Sequence, residues 1–291
     1  MTANRPVLLI YSNCQADHIA KLLERIEPLT AEISVKYLFI HSLEDPGHGW
    51  DTYDETYLDG VCWVWEQVSE AFPLLRAELH RRLPPHIRRI RFPALTAGMI
   101  WPFAAANQRP SKRNLYLYGD AIANRLGRQI AGKTVSDDDI FDQYMEMSAK
   151  RMAEVDRRLE LEIDNWRKRD LDSDIVFADY LLENFRKLQL FYEPTRVTKD
   201  LVHRLTQSLL WETFGSKWAN MAHAADRVTR LLRDYVGYDT ISRPVHPLVA
   251  EKLKLEWYDP NALYRWFAHD WTFREWVVRC TRLTPYVGTL F

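Results

Sequence analysis

What this sequence lacks narrows its reading first. It has three cysteines in 291 residues, Cys14, Cys62 and Cys280. They are too few and too scattered for a disulfide framework or a zinc site, so no metal is expected and a reducing compartment is. It has no surplus of one charge: 39 Lys and Arg against 40 Asp and Glu leave a formal net charge of -1. A nucleic-acid binder usually carries a basic excess, so no nucleic-acid partner is expected. It has no long apolar run. The longest uncharged stretch, Phe92 to Gln108, is broken by Pro93, Gly98 and Pro102, which argues against a transmembrane segment. The short run Val7 to Tyr11 has neither the length nor the flanks of a signal peptide, and the expected location is cytoplasmic. Finally, no glycine occurs between Tyr11 and Gly47, which excludes a glycine-rich phosphate loop after the first strand.

What is present is a chain with 47% apolar residues, enough to bury a sizeable core in one large domain or two small ones. Val7 to Ser12 is a continuous apolar run closed by a small polar turn, the pattern of a buried parallel strand. Ile19, Leu22, Leu23 and Ile26 follow at helical spacing. Ile33 to Ile40 and Val61 to Trp65 read as further strands. Phe72, Leu75 and Leu79 mark another amphipathic helix, and Ile87 to Phe92 a fourth strand. This alternation predicts a small parallel sheet covered by helices. From Ser136 the chain reads as almost wholly helical. One striped segment runs from Ile140 to Trp166, and helices are expected over Ile175 to Phe191 and Thr198 to Phe214. Thr198 suits an N-cap and Gly215 a stop. Shorter helical pieces continue from Ala219. The expected fold is therefore α/β: a sheet subdomain over residues 1–106 joined to a larger, mainly helical cradle over 107–291, packed as one unit.

In open parallel sheets, ligands bind beyond the carboxyl ends of the strands. Ser12-Asn13-Cys14-Gln15 sits at that end of the first strand and opens the first helix, where backbone N–H groups and the dipole favour negative charge. A cysteine there gains thiolate character. His18, one helical turn on, is a candidate general base, and Asn13 and Gln15 are candidate oxyanion donors. The structural alternative makes Cys14 a small filler, Asn13 a turn former and His18 a solvent-facing residue. The residues alone leave both open. Cys62, inside an apolar strand, and Cys280, inside an apolar helical segment, are expected to be buried and inert.

The turn Tyr11-Ser12-Asn13-Cys14-Gln15 resembles the Gly-Asn-Cys-Gln signature of the WcbI-type polysaccharide-biosynthesis proteins. The likeness extends along the chain: Val64-Trp65-Glu66-Gln67 is similar to the family's strand ending in glutamine, and Arg91-Phe92-Pro93-Ala94 with Trp101-Pro102 to its proline-containing segment. Ala178-Asp179-Tyr180 with Glu183-Asn184-Phe185-Arg186 resembles its central helix, and Pro244-Val245-His246-Pro247 a late motif. One departure stands out: Tyr192-Glu193-Pro194-Thr195 replaces an Asn-His-Pro often found after the central helix, so a histidine is missing there.

The resemblance implies a fold that binds coenzyme A and transfers an acetyl group to a sugar hydroxyl during capsule synthesis. Coenzyme A needs cations for its phosphates, and arginine suits such oxygens. Arg88, Arg89 and Arg91 around the fourth strand, Lys112 and Arg113, and Arg196 with Lys199 are the available clusters. The candidate coenzyme A contacts are thus Ser12, Gln67, Arg88, Arg91, Arg196 and Lys199. His41 and His48, after the second strand, are further candidate bases, while His246 reads as a packing or turn element. Tryptophans such as Trp63 and Trp65 read as core. The expected activity is O-acyl transfer from coenzyme A to a saccharide-like hydroxyl. The alternatives are an ester or thioester hydrolase and a non-catalytic coenzyme A-binding partner in glycan assembly.

Overall fold

The computed structural model describes residues 5–13, 15–40, 53, 55–69, 73–105, 119–217, 230 and 241–283. Strand β1 (Val7–Ser12) is buried along its whole length. A central parallel strand is covered on both faces, which is why its run is apolar throughout. It pairs in parallel with β2 (Ser34–Phe39) on one side and β3 (Val61–Val68) on the other, and β4 (Arg88–Pro93) continues from β3. The order β2-β1-β3-β4 means that the chain first steps outward from β1, then returns past it. The carboxyl ends of β1 and β3 therefore form a topological switch point, the place where open parallel sheets bind their ligands. Helix α1 (Gln15–Leu23) buries Ile19, Leu22 and Leu23, and a short α2 (Glu27–Glu32) leads into β2. Val7, Leu9 and Tyr11 pack with Val64 against Leu79 of α3 (Pro73–Arg82). Strand alternation turns Leu8, Ile10 and Ser12 to the opposite face.

Beyond the sheet the chain is mainly helical. Asp120 caps α4 (Ala121–Ile130) by accepting from the N–H groups of Ile122 and Ala123, both at 2.9 Å. Ser136 caps α5 (Asp137–Ala149), whose first turn is acidic, in accord with the dipole. The segment read as one stripe from Ile140 to Trp166 is two helices. A 3-10 turn at Met152–Glu154 separates α5 from α6 (Val155–Leu171). Ser148, near the break, bonds back to Met145 O at 2.9 Å, which competes with the helical ladder.

The helix expected over Ile175 to Phe191 is only α7 (Ala178–Asn184). Pro194 favours extended backbone before it, and Phe191 instead opens a hairpin of β5 (Phe191–Glu193) and β6 (Arg196–Val197). Helix α8 (Lys199–Phe214) follows as expected, and Gly215 takes the left-handed conformation (φ 53°) that stops it. Thr198 does not cap it: its hydroxyl is buried with no partner among the described residues. Further on come α9 (Pro247–Leu253), a second unforeseen hairpin of β7 (Tyr264–Trp266) and β8 (His269–Trp271), and α10 (Phe273–Arg282). Aromatic side chains fill the strands of that hairpin, which explains why they pair rather than coil. A Cβ on Gly127 of α4 would stand 2.5 Å from Thr281 O of α10, so the two helices touch through glycine. Among the described residues no helix is long and apolar enough to cross a membrane.

Two compact units result: residues 1–95, 165–179 and 199–235 around the sheet, and residues 96–164, 180–198 and 236–291. They do not coincide with a single division at residue 106. The reason is α8, which belongs with the sheet: Trp65 Nε1 donates to Thr213 Oγ1 at 2.8 Å, and Arg88 pairs with Glu212 at 3.1 Å. Trp65 is fully buried, as expected of core; Trp63 is half-buried, its ring edge-on to Phe214 at 5.4 Å.

Candidate functional site

At the switch point, β1 ends at Ser12, Asn13 makes the turn, and α1 begins at Gln15. Three amide side chains hold this turn. Asn13 N–H donates to Gln67 Oε1 at 3.1 Å, Gln67 Nε2 donates to Gln15 Oε1 at 3.1 Å, and Gln15 N–H donates to Asn13 Oδ1 at 3.0 Å. Ala16 N–H closes the turn on Asn13 O at 2.9 Å. Gln15 and Gln67 are buried, and both hold the turn; Gln67, expected among the coenzyme A contacts, ties the end of β3 to the start of α1. Asn13 differs. It is half-buried, its oxygen is occupied, and its Nδ2 group has no partner among the described residues. Among the described residues one amide donor of the turn is thus left over. Ser12, the other side chain of the turn, is buried, and its hydroxyl also lacks a partner among the described residues.

Behind the turn, on the α3 face, lies a group that the sequence reading missed. Glu66 is buried, its Oε1 3.0 Å from Arg76 Nε and its Oε2 2.8 Å from His80 Nε2. Arg76 Nη2 donates to the carbonyls of Gln67 (3.1 Å) and Ser69 (3.0 Å). Tyr11, opposite Glu66 in the ladder, has a hydroxyl whose pKa is pushed well above the usual phenol range by burial, with Arg76 opposing and Glu66 adding. The available signal was a lone carboxylate within the apolar run Val61–Val68, followed by Arg76 and His80 one helical turn apart.

The remaining candidates fall as follows. Cys14, His41, His48, Lys112 and Arg113 lie outside the described residues. His18 is half-buried on α1. Arg88 opens β4 and so stands at the opposite end of the sheet from the turn, paired with Glu212. Arg91 is engaged by Asp174, which accepts its backbone N–H at 2.7 Å. Arg196 on β6 and Lys199 on α8 fall in different compact units. Cys62, expected to be buried, is exposed at a strand position facing outward, while Cys280 is buried and its thiol is pushed up to about 12 by burial. Among the described residues no cluster of His, Cys, Asp and Glu is arranged to hold a metal ion.

A second polar cluster is buried in the other unit. Burial pushes the Asp120 carboxyl up to about 6, against the opposing N–H groups of Ala123 and Ile122, the Tyr144 hydroxyl at 3.1 Å, and Arg243. Burial lowers His246 to about 4. His246 Nδ1 accepts from Leu248 N–H at 3.2 Å, so the proton of its neutral ring is on Nε2, 2.8 Å from Ser148 Oγ. Ser148 in turn donates to Met145 O. A ring that donates to the serine cannot take its proton, so this pair is a helix cap and not a nucleophile with its base. A cavity of about 20 Å³ beside Asp120 and His246 has room for one water.

A parallel sheet with a topological switch point at the end of its first strand defines an α/β protein. More particularly, the chain belongs to the family of the polysaccharide biosynthesis enzyme WcbI, whose model matches residues 7–213. A similar solved structure is that of WcbI, a novel polysaccharide biosynthesis enzyme, in a native form without a disulfide bond between coenzyme A and a cysteine. It is 15% identical, with a TM-score of 0.64 over 95% of this chain and 89% of that one. No curated protein matches the chain.

Proposed function

We propose that this protein transfers an acyl group from coenzyme A to a hydroxyl of a saccharide or related metabolite, in the cytoplasm. The observation that carries the reading is the Nδ2 donor of Asn13, which has no partner among the described residues, at the switch point and next in sequence to Cys14. A preorganised amide aimed at developing negative charge is what acyl transfer requires. The polysaccharide role of the family and the coenzyme A named for the similar structure support the acceptor and donor classes. In the covalent route, Cys14 Sγ attacks the acyl carbonyl, Asn13 Nδ2 steadies the oxyanion, and the carbon–sulfur bond to coenzyme A breaks. The acceptor hydroxyl then attacks the acyl-cysteine and yields its proton to a base, for which His18 and His41 are the candidates. In the direct route the acceptor attacks the thioester itself.

Release of free thiol from acetyl-coenzyme A, followed with and without saccharide acceptors, tests this. Release that depends on an acceptor is expected; release to water alone would make the protein a hydrolase, and binding without release would overturn transfer. Cys14→Ala is expected to lower the rate by roughly 10³-fold or more if the covalent route holds. Full turnover in that variant rules the route out.

A further inference from the structure

Glu66 is a carboxylate buried in the middle of an apolar strand, an arrangement that is strongly unfavourable unless the charge is matched. It is matched from α3 by the Arg76 guanidinium, with His80 Nε2 at hydrogen-bond distance from its other oxygen. Arg76 does more than neutralise it. Its Nε lies 3.0 Å from Glu66 Oε1 as an ion pair, off the line of a hydrogen bond. Its Nη2 donates to the carbonyls of Gln67 and Ser69, where β3 runs out. The side chain of Gln67 leaves the strand on the other face and holds Asn13 N–H and Gln15 Oε1. One residue therefore has its backbone pinned from the α3 face and its amide committed to the turn on the α1 face.

From this geometry we infer that Arg76 is a positioning residue for the Cys14 turn. It acts through Gln67, with Glu66 and His80 setting the direction of the guanidinium. Only arginine can do this: its planar fork reaches the carboxylate and both carbonyls at once, whereas a lysine ammonium is a single point charge. The mechanism is mechanical. Fixing the Gln67 carbonyl fixes the Cα–Cβ direction of that residue, and with it the acceptor that orients Asn13 and the donor that orients Gln15. Small misplacements of such a group cost large factors in rate. The inference rests on the proposed chemistry at Cys14 and deepens it.

The test uses the full chain in a Cys62→Ser background and its parent. Arg76→Met, Arg76→Lys and Gln67→Glu are compared at a temperature well below unfolding, with circular dichroism to confirm the fold. For Arg76→Met, kcat for acyl transfer is expected to fall by about 10–100-fold with the KM for acetyl-coenzyme A within about threefold. Arg76→Lys restores little of this, since it keeps the ion pair and loses the second carbonyl. Gln67→Glu keeps the acceptor for Asn13, loses the donor to Gln15, and falls likewise; it also serves if Arg76→Met does not fold.

A purely structural role would lower the unfolding temperature and leave kcat per folded molecule unchanged, which overturns the inference. A second readout is independent of acyl transfer. The rate of Cys14 alkylation by iodoacetamide, resolved by mass spectrometry, is expected to change at least fivefold in Arg76→Met while Cys62 in the parent is unchanged. An unaltered Cys14-to-Cys62 ratio sinks the positioning role even if wild-type turnover is absent. A changed ratio with no turnover leaves positioning standing and removes the acyltransferase reading.

Discussion

At the end of β1 the polar side chains are, besides Ser12, neutral amides that tie one another, and Asn13 Nδ2 has no partner among the described residues. In the other unit they are ionisable groups, Asp120, Tyr144, Arg243 and His246, with pKa values driven far from their usual ranges. By the usual inference, strongly perturbed groups around a cavity mark a functional site. Here the perturbed groups have a structural use. His246 caps α9, Asp120 caps α4, and the shifts report desolvation by a core that uses these groups as caps. The amide turn lies at the sheet's switch point, and its Asn13 Nδ2 donor has no partner among the described residues.

The sharpest way to break this comparison is Asn13→Asp. The substitution keeps the Oδ1 acceptor for Gln15 N–H and removes the Nδ2 donor. Acyl transfer is expected to fall by about 10²–10³-fold with the fold intact, read as kcat against an unchanged thermal transition. An undiminished rate would remove the oxyanion role from the turn.

Next in size is the pH dependence of the second cluster. His246 stays neutral when folded down to about 4 and takes a proton near 6.5 when unfolded, so stability falls as pH drops between these values. The loss is about 3 kcal/mol. Asp120 does the reverse: folded, it is protonated below about 6, and unfolded only below 3.8, so it gains stability over nearly the same window. The two nearly cancel in the wild type. Asp120→Asn retains a good helix cap and unmasks the histidine. Urea unfolding of this variant from pH 6.5 to 4 is expected to show the loss of about 3 kcal/mol; a flat profile would mean that burial of His246 is not what sets it.

Much of the sheet was legible because β1 is covered on both faces and its residues say so without alternation. The Ser12–Gln15 turn was legible for the same reason: a polar tetrapeptide directly after such a strand has few other places to be. The hairpins at Phe191–Val197 and Tyr264–Trp271 were not, because strands of two or three residues leave no period to detect. Nor was the Glu66–Arg76–His80 group, since pairing across β3 and α3 depends on which face each side chain takes. The exposure of Cys62 shows the same limit. It sits among apolar neighbours in sequence, but its place in β3 turns it outward.

Two smaller effects sharpen the division between the units. Gly127→Ala adds a methyl 2.5 Å from Thr281 O, where backbone meets backbone. The usual gain of about 1 kcal/mol from alanine in a helix is expected to be outweighed, leaving a net loss of about 1–2 kcal/mol in denaturant melts. A stabilised variant would show that α4 and α10 move apart at no cost. Cys62→Ser, at an exposed strand position, is expected to change stability by less than about 0.5 kcal/mol and activity not at all, while thiol labelling of the folded protein loses its Cys62 signal and leaves Cys280 unlabelled.

The arginines of β4 have a consequence apart from ligands. As the outermost strand of the sheet, β4 offers an open rail of backbone groups on which another chain's strand could stack. Arg88, Arg89 and Arg91 line that rail, and the segment at Asp174 and Ile175 occupies its middle: Arg91 N–H is taken by Asp174, and Arg91 O accepts from the N–H groups of both residues. A strand approaching from solution meets, at Arg91, a backbone that is already satisfied. The same segment that engages Arg91 thus interrupts the open edge of the sheet, leaving less continuous backbone for a second copy of the chain to pair with.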